Sequence, residues 1–125
     1  MARILIVEDN PDNMKLFRAI LGISGHQVTG LASGEGLWQA LEGTQPELVL
    51  MDIQLPGRDG FELLAEIRNS PWSSVRVIAL TAHAMTGDRE KARTAGFDDY
   101  ITKPIDVATF PTLVTRALAG LPLDR

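Results

Sequence analysis

Apolar residues follow two alternating rhythms along the chain. Ile4-Leu5-Ile6-Val7 and Leu48-Val49-Leu50-Met51 are short unbroken runs, and Val75 to Leu80 is nearly one. Such runs read as strands buried on both faces. Gln27 to Leu31 predicts a weaker strand, and Tyr100-Ile101 sits in a short fifth. Longer stretches at helical spacing lie between them. Asn10 as N-cap and Pro11 at the first helical position open one that carries Met14, Phe17 and Leu21 and ends at Gly22 and Gly25. Ser33 is predicted to open a second, with Leu37, Trp38 and Leu41, stopped by Gly43 and Pro46. Asp52 to Gly60 is a loop marked by Pro56, Gly57 and Gly60. Phe61, Leu64, Ile67 and Arg68 continue as a third helix up to Ser70-Pro71. A fourth starts at Thr86-Gly87-Asp88 and ends at Gly96. Asp106 is predicted to cap a fifth, with Val107, Phe110, Val114, Ala117 and Leu118 on one face. Pro111 inside it removes a backbone donor and predicts a distorted turn.

Five strands alternating with five helices predict an α/β fold: a parallel sheet, helices on both faces, right-handed crossovers. Ligands of such sheets bind beyond the carboxyl ends of the strands, where strand order reverses. At 125 residues the chain fits one domain, 1–125. The absence of cysteine excludes disulfides, thiolate metal sites and cysteine nucleophiles. A net charge of −4 without a basic cluster speaks against binding nucleic acid directly. No apolar run reaches the ~18 residues of a membrane span or forms a signal-peptide core, so the expected location is cytoplasmic.

The strand ends carry the chemistry. The first strand runs into Glu8-Asp9, the third into Asp52 and the fourth into Thr81, while Lys103-Pro104 follows the fifth. Each residue alone has an ordinary explanation: a helix-dipole partner, a loop acceptor, a hydroxyl turn, a solvated lysine. Their joint placement at one sheet edge does not. Three carboxylates held together repel unless a cation joins them. All-oxygen ligation suits Mg²⁺, or Mn²⁺ in its place, and nothing has zinc spacing. A hydroxyl and an ammonium beside an aspartate could hold phosphoryl oxygens while the aspartate accepts the phosphorus.

Four phrases then identify a family: Ile-Val-Glu-Asp-Asn at 6–10, Leu-Met-Asp-Ile-Gln-Leu-Pro-Gly at 50–57 with Gly60, Ala-Leu-Thr-Ala-His-Ala-Met at 79–85, and Tyr-Ile-Thr-Lys-Pro-Ile at 100–105. From Arg3 to about Ala119 the chain resembles a response-regulator receiver domain of two-component signalling. The resemblance implies a flavodoxin-like, CheY-like sheet of order 2-1-3-4-5. It implies Asp52 as phosphoacceptor and Thr81 and Lys103 as the groups on the phosphoryl oxygens. Mg²⁺ would be held by Asp9, Asp52 and the backbone carbonyl of Gln54, with Glu8 acting mainly through water. It further implies a cis bond before Pro104, a coupled Thr81–Tyr100 switch, and tuning of phosphoryl lifetime by Gln54 and His83.

The implied partners are a histidine kinase or phosphatase and a downstream protein. The fourth helix has only Ala92 and Ala95 as apolar residues between Asp88 and Ala95, so it is held weakly and shifts easily. The fourth helix, fifth strand and fifth helix are therefore the expected output face, with Met85 a candidate contact and a phosphorylation-dependent dimer one form of output. The chain begins two residues before its first strand and stops soon after its last helix. This favours a stand-alone regulator, the alternative being a receiver module or relay intermediate of a hybrid histidine kinase. A hydrolase using Asp52 would want a second acid and a substrate pocket. A flavin binder would want a hydroxyl-rich loop where Glu8-Asp9-Asn10 stands. The reading is thus a phosphoacceptor and not a turnover enzyme.

Overall fold

The computed structural model describes residues 2–55, 57–82 and 86–123, with backbone alone for 86–89. Its strands are β1 (Arg3–Val7), β2 (Gln27–Leu31), β3 (Leu48–Asp52), β4 (Arg76–Thr81) and β5 (Asp99–Thr102). Its helices are α1 (Pro11–Ile23), α2 (Leu37–Thr44), α3 (Gly60–Arg68), α4 (Thr86–Ala95) and α5 (Phe110–Leu118). All ladders are parallel and the order is β2-β1-β3-β4-β5, as expected. The order reverses between β1 and β3, which places the ligand-binding edge beyond Val7 and Asp52.

Strand alternation sorts the apolar residues onto two faces. Ile4, Ile6, Leu48, Leu50, Ile78, Leu80 and Ile101 pack under α1 and α5 with Phe17 and Phe110. Leu5, Val7, Val49, Met51, Val77, Ala79 and Tyr100 pack under α2, α3 and α4. Both faces are covered, so the strands read as unbroken apolar runs.

Two helix starts differ from the sequence reading. Ser33 does not open α2; its Oγ accepts the N–H of Glu35 at 3.2 Å in a local turn. The helix begins at Leu37 because Gly36 stands at φ +83, a left-handed conformation that ends one turn before the next begins. Asp106 caps a separate turn, with Oδ1 accepting from Ala108 N–H at 2.9 Å, and α5 begins only at Phe110. Val107 is consequently 56% exposed and not on the core face. Pro111 falls in the first turn of α5, where its missing N–H costs nothing.

α4 is sparsely anchored. Among residues 90–95 Ala92 alone is buried. Its C-terminal end is tied by Arg68, whose Nε and Nη2 donate to Gly96 O at 3.2 and 2.9 Å while Nη1 reaches Val75 O at 2.6 Å. No helix among the described residues is long and apolar enough to cross a membrane.

His26 closes the N-terminal edge, its Nδ1 accepting the N–H of Ala2 at 3.1 Å. Burial holds its pKa below the usual 6.5. The folded state therefore binds this proton less well than the unfolded chain, and stability falls as pH drops through 6.5. Urea midpoints measured at about pH 8 and about pH 5 are expected to show this loss, and His26→Gln to show less of it. Equal losses in both proteins would remove His26 as its source.

Candidate functional site

Each site residue is placed by the end of a strand. Asp52 closes β3, the central strand, and is 4% exposed. Its Oδ1 accepts the Gln54 N–H at 2.9 Å, which fixes the carboxylate against its own backbone. Glu8 follows β1 and is 1% exposed. Its N–H still donates to Leu31 O at 2.9 Å, continuing the ladder, and its Oε2 accepts the Asn10 N–H at 3.1 Å. Asn10 in turn caps α1, its Oδ1 accepting from Asp12 N–H at 2.9 Å and Asn13 N–H at 3.0 Å. Asp9 stands exposed between the two. Carboxylate oxygens of Glu8, Asp9 and Asp52 all lie within 4.8 Å of one another.

Lys103 enters from the far side. Its N–H donates to Thr81 O at 2.7 Å, which carries the β4–β5 ladder past Thr102, and the Lys103–Pro104 bond is cis. Its Nζ donates to Asp52 Oδ2 at 2.7 Å and lies 2.9 Å from Glu8 Oε1. Burial pulls the ammonium's pKa down, but its hydrogen bond to Asp52 and its ion pair with Glu8 outweigh this and raise it above 10.5. Burial raises the Glu8 pKa above 4.5, against the pull of Lys103 and the Asn10 N–H, and the Asp52 charge pushes the same way as burial.

One ammonium facing three carboxylates leaves a negative, all-oxygen cluster. Glu8 Oε1 is buried and, though close to Nζ, receives no aligned hydrogen bond. Hard oxygen donors, a net negative charge and a buried oxygen with spare lone pairs fit Mg²⁺ or Mn²⁺.

Thr81 ends β4 at 7% exposure and Tyr100 lies on β5 at 5%. Ala79 pairs with Tyr100 in register, and Thr81 is two residues further along the same strand. Alternation therefore puts Thr81 and Tyr100 on the same face, toward α3 and α4. Tyr100 is buried in the core on that face. His83 and Met85 lie outside the described residues.

The sequence reading missed three supports of this edge. Asp59 caps α3, its Oδ1 accepting the Glu62 N–H at 2.9 Å; Asp followed three residues later by Glu was a legible signal. Arg68, read only as part of a helix, ties α4. Gly60, read as a loop marker and as part of the family phrase, stands where a Cβ would meet the backbone of Asp52.

A family model described as "response regulator receiver domain" matches residues 4–115. The polar-differentiation response regulator DivK of Brucella ovis is 42% identical over 108 residues, covering 86% of this chain and 88% of that protein. The receiver domain of the sensor histidine kinase PA1611 of Pseudomonas aeruginosa, solved with a magnesium ion coordinated in its active-site cleft, superposes with a TM-score of 0.84 at 38% identity, covering 94% and 98% of the two chains. The chemotaxis regulator CheY4 of Vibrio cholerae, at 19% identity and a TM-score of 0.87 over 94% and 98%, shares the fold.

Proposed function

This chain belongs to the response-regulator receiver family of two-component signalling, and from that premise we propose that it is a stand-alone, Mg²⁺-dependent phosphoacceptor whose acceptor group is Asp52. The observation that carries the reading is the Asp52 carboxylate at the end of the central strand, 2.7 Å from the Lys103 ammonium and within 4.8 Å of two further carboxylates. Receivers of this family are signalling phosphoacceptors, not turnover enzymes, and bind Mg²⁺ at an acidic site.

In the proposed reaction an Asp52 oxygen attacks the phosphorus of a histidine kinase's phosphoimidazole. The O–P bond forms as the N–P bond breaks, and the leaving imidazole nitrogen keeps the electron pair. Asp9, Asp52 and the Gln54 carbonyl would hold the metal, with Glu8 behind them. Bound Mg²⁺ would neutralise the phosphoryl charge. Lys103 turns from the carboxylates to one phosphoryl oxygen, and the Thr81 hydroxyl donates to another. Thr81 and Tyr100 share the sheet face under α3 and α4, so this donation reaches β5 and α4, which with α5 from the other face make up the proposed output face toward a protein partner. α4 suits that role because Ala92 alone anchors residues 90–95 in the core.

A second reading, a relay receiver acting with a hybrid histidine kinase, is favoured by the likeness to the PA1611 receiver. Transfer of the phosphoryl group onward to a histidine phosphotransfer protein would distinguish it.

The test is intact mass after incubation with acetyl phosphate. One phosphoryl group is expected with Mg²⁺, and none with Asp52→Asn or with chelator. Undiminished phosphorylation of Asp52→Asn would place the acceptor elsewhere.

A further inference from the structure

We propose that Gly60 is a positioning residue for this site, because its lack of a side chain sets where the Asp52 backbone stands and thereby how tightly Mg²⁺ is held. The inference rests on the reading of Asp52, Asp9 and Glu8 as the metal site.

Gly60 is buried at the first position of α3. A Cβ there would lie 2.6 Å from the Asp52 carbonyl oxygen, 2.9 Å from Ile53 Cα and 3.2 Å from the Asp52 carbonyl carbon. All three are backbone atoms, so no rotamer change relieves the overlap. Its φ is not in the left-handed region; room, not conformational freedom, is what the position requires.

Both sides of the contact are stiff. Asp52 pairs with Leu80 across the sheet, and the Ile53 N–H donates to Leu80 O at 3.1 Å. α3 is seated by Leu63, Leu64 and Ile67, each 0% exposed, and the Gly60 N–H donates to Ile53 O at 2.8 Å. A side chain at 60 must therefore push on Asp52-Ile53-Gln54. That segment carries the acceptor carboxylate and the proposed carbonyl ligand. Mg²⁺ demands near-ideal octahedral geometry and tolerates such a shift poorly.

Gly34 supplies the matched control. A Cβ there would lie 2.6 Å from Leu63 Cδ2, 3.0 Å from Cδ1 and 3.3 Å from Cγ. The clash is as close, but it falls on the tip of the Leu63 side chain and on no backbone atom of the Asp52 segment.

Mg²⁺ binding is measured by calorimetry for the wild type, Gly60→Ala and Gly34→Ala, with no phosphodonor present. Trimethylamine N-oxide favours the folded state in all three. Near-ultraviolet circular dichroism of Trp38 and Trp72 verifies folding. Gly60→Ala is expected to weaken Mg²⁺ about tenfold or more, in the range for lost supports of metal ligands. Gly34→Ala is expected to leave the affinity as it is. Wild-type affinity in Gly60→Ala, or equal weakening in both variants, overturns the proposal and leaves the site reading intact. A folded wild type that binds no Mg²⁺ overturns both. A Gly60→Ala protein that stays unfolded makes the glycine a requirement of the fold and also overturns the positioning role.

Discussion

Methionine in place of Lys103 is expected to destabilise the metal-free protein at neutral pH by about 3–5 kcal/mol and to slow phosphoryl acceptance by about 10²–10³-fold. The Lys103 side chain is 16% exposed, and those of Glu8 and Asp52 are 0% and 5% exposed. Removing the ammonium leaves carboxylates that are out of water and close together, which costs more than the pair itself contributes. The same charge is the one proposed to meet the phosphoryl oxygen, so acceptance suffers independently of stability.

Two responses separate this account from simple loss of packing. Saturating Mg²⁺ should stabilise Lys103→Met more than it stabilises the wild type, because no ammonium then competes for the carboxylates; binding at 100 times Kd adds about 2.7 kcal/mol. Acid should narrow the gap as well. The Glu8 pKa is already raised above 4.5 by burial, so its ionisation costs stability at neutral pH, and that cost disappears as pH falls through its folded value. Without the Lys103 ammonium that lowers it, the Glu8 value rises further and the relief begins at a higher pH. Urea denaturation in chelator and in Mg²⁺, at neutral and mildly acid pH, measures all of this. A variant as stable as the wild type in chelator, with no larger Mg²⁺ increment, would show that the cluster does not depend on Lys103 for neutralisation.

The site was legible in the sequence for a topological reason. A parallel α/β sheet brings every strand's carboxyl end to one edge, so Glu8, Asp52, Thr81 and Lys103 could be assembled from strand ends alone. The sheet was equally legible, because burial on both faces writes a strand as an apolar run. What escaped depends on atoms far apart in sequence or on the choice between adjacent turns. Ser33 and Asp106 both have the residue type of a helix cap and both hold local turns instead. Gly36 and Pro111 stand where those helices begin; Gly36 carries no side-chain pattern, and Pro111 reads as a break inside the helix until its start is known. Arg68 bonds Gly96, 28 residues away, and nothing on its own helix signals that. Gly60 has no side chain to read; only the position of the Asp52 carbonyl gives its smallness a meaning.

Alanine in place of Phe110 is expected to lower stability by about 3–5 kcal/mol, a large part of the roughly 5–15 kcal/mol of an ordinary domain. Phe110 is 0% exposed at the start of α5, and its ring centroid lies 5.4 Å from that of Phe17 on α1 at an interplanar angle of 30°. The aromatic pair itself contributes about 0.5–1.5 kcal/mol beyond burial. Collapse cannot recover much of the rest. Phe110 already borders a hollow of about 230 Å³, shared with Ile101, Pro104, Ile105 and Leu113, so the vacated volume opens into existing space. The urea midpoint should drop with its slope unchanged, whereas Val107→Ala, three residues earlier and 56% exposed, should move it little. A loss below about 1 kcal/mol would mean that α1 and α5 are held together elsewhere. The Mg²⁺ increment separates this lesion from the one at Lys103. Phe110→Ala lowers stability in chelator and in Mg²⁺ by the same amount, because the folded fraction keeps its carboxylates and its ammonium. Lys103→Met changes the increment itself.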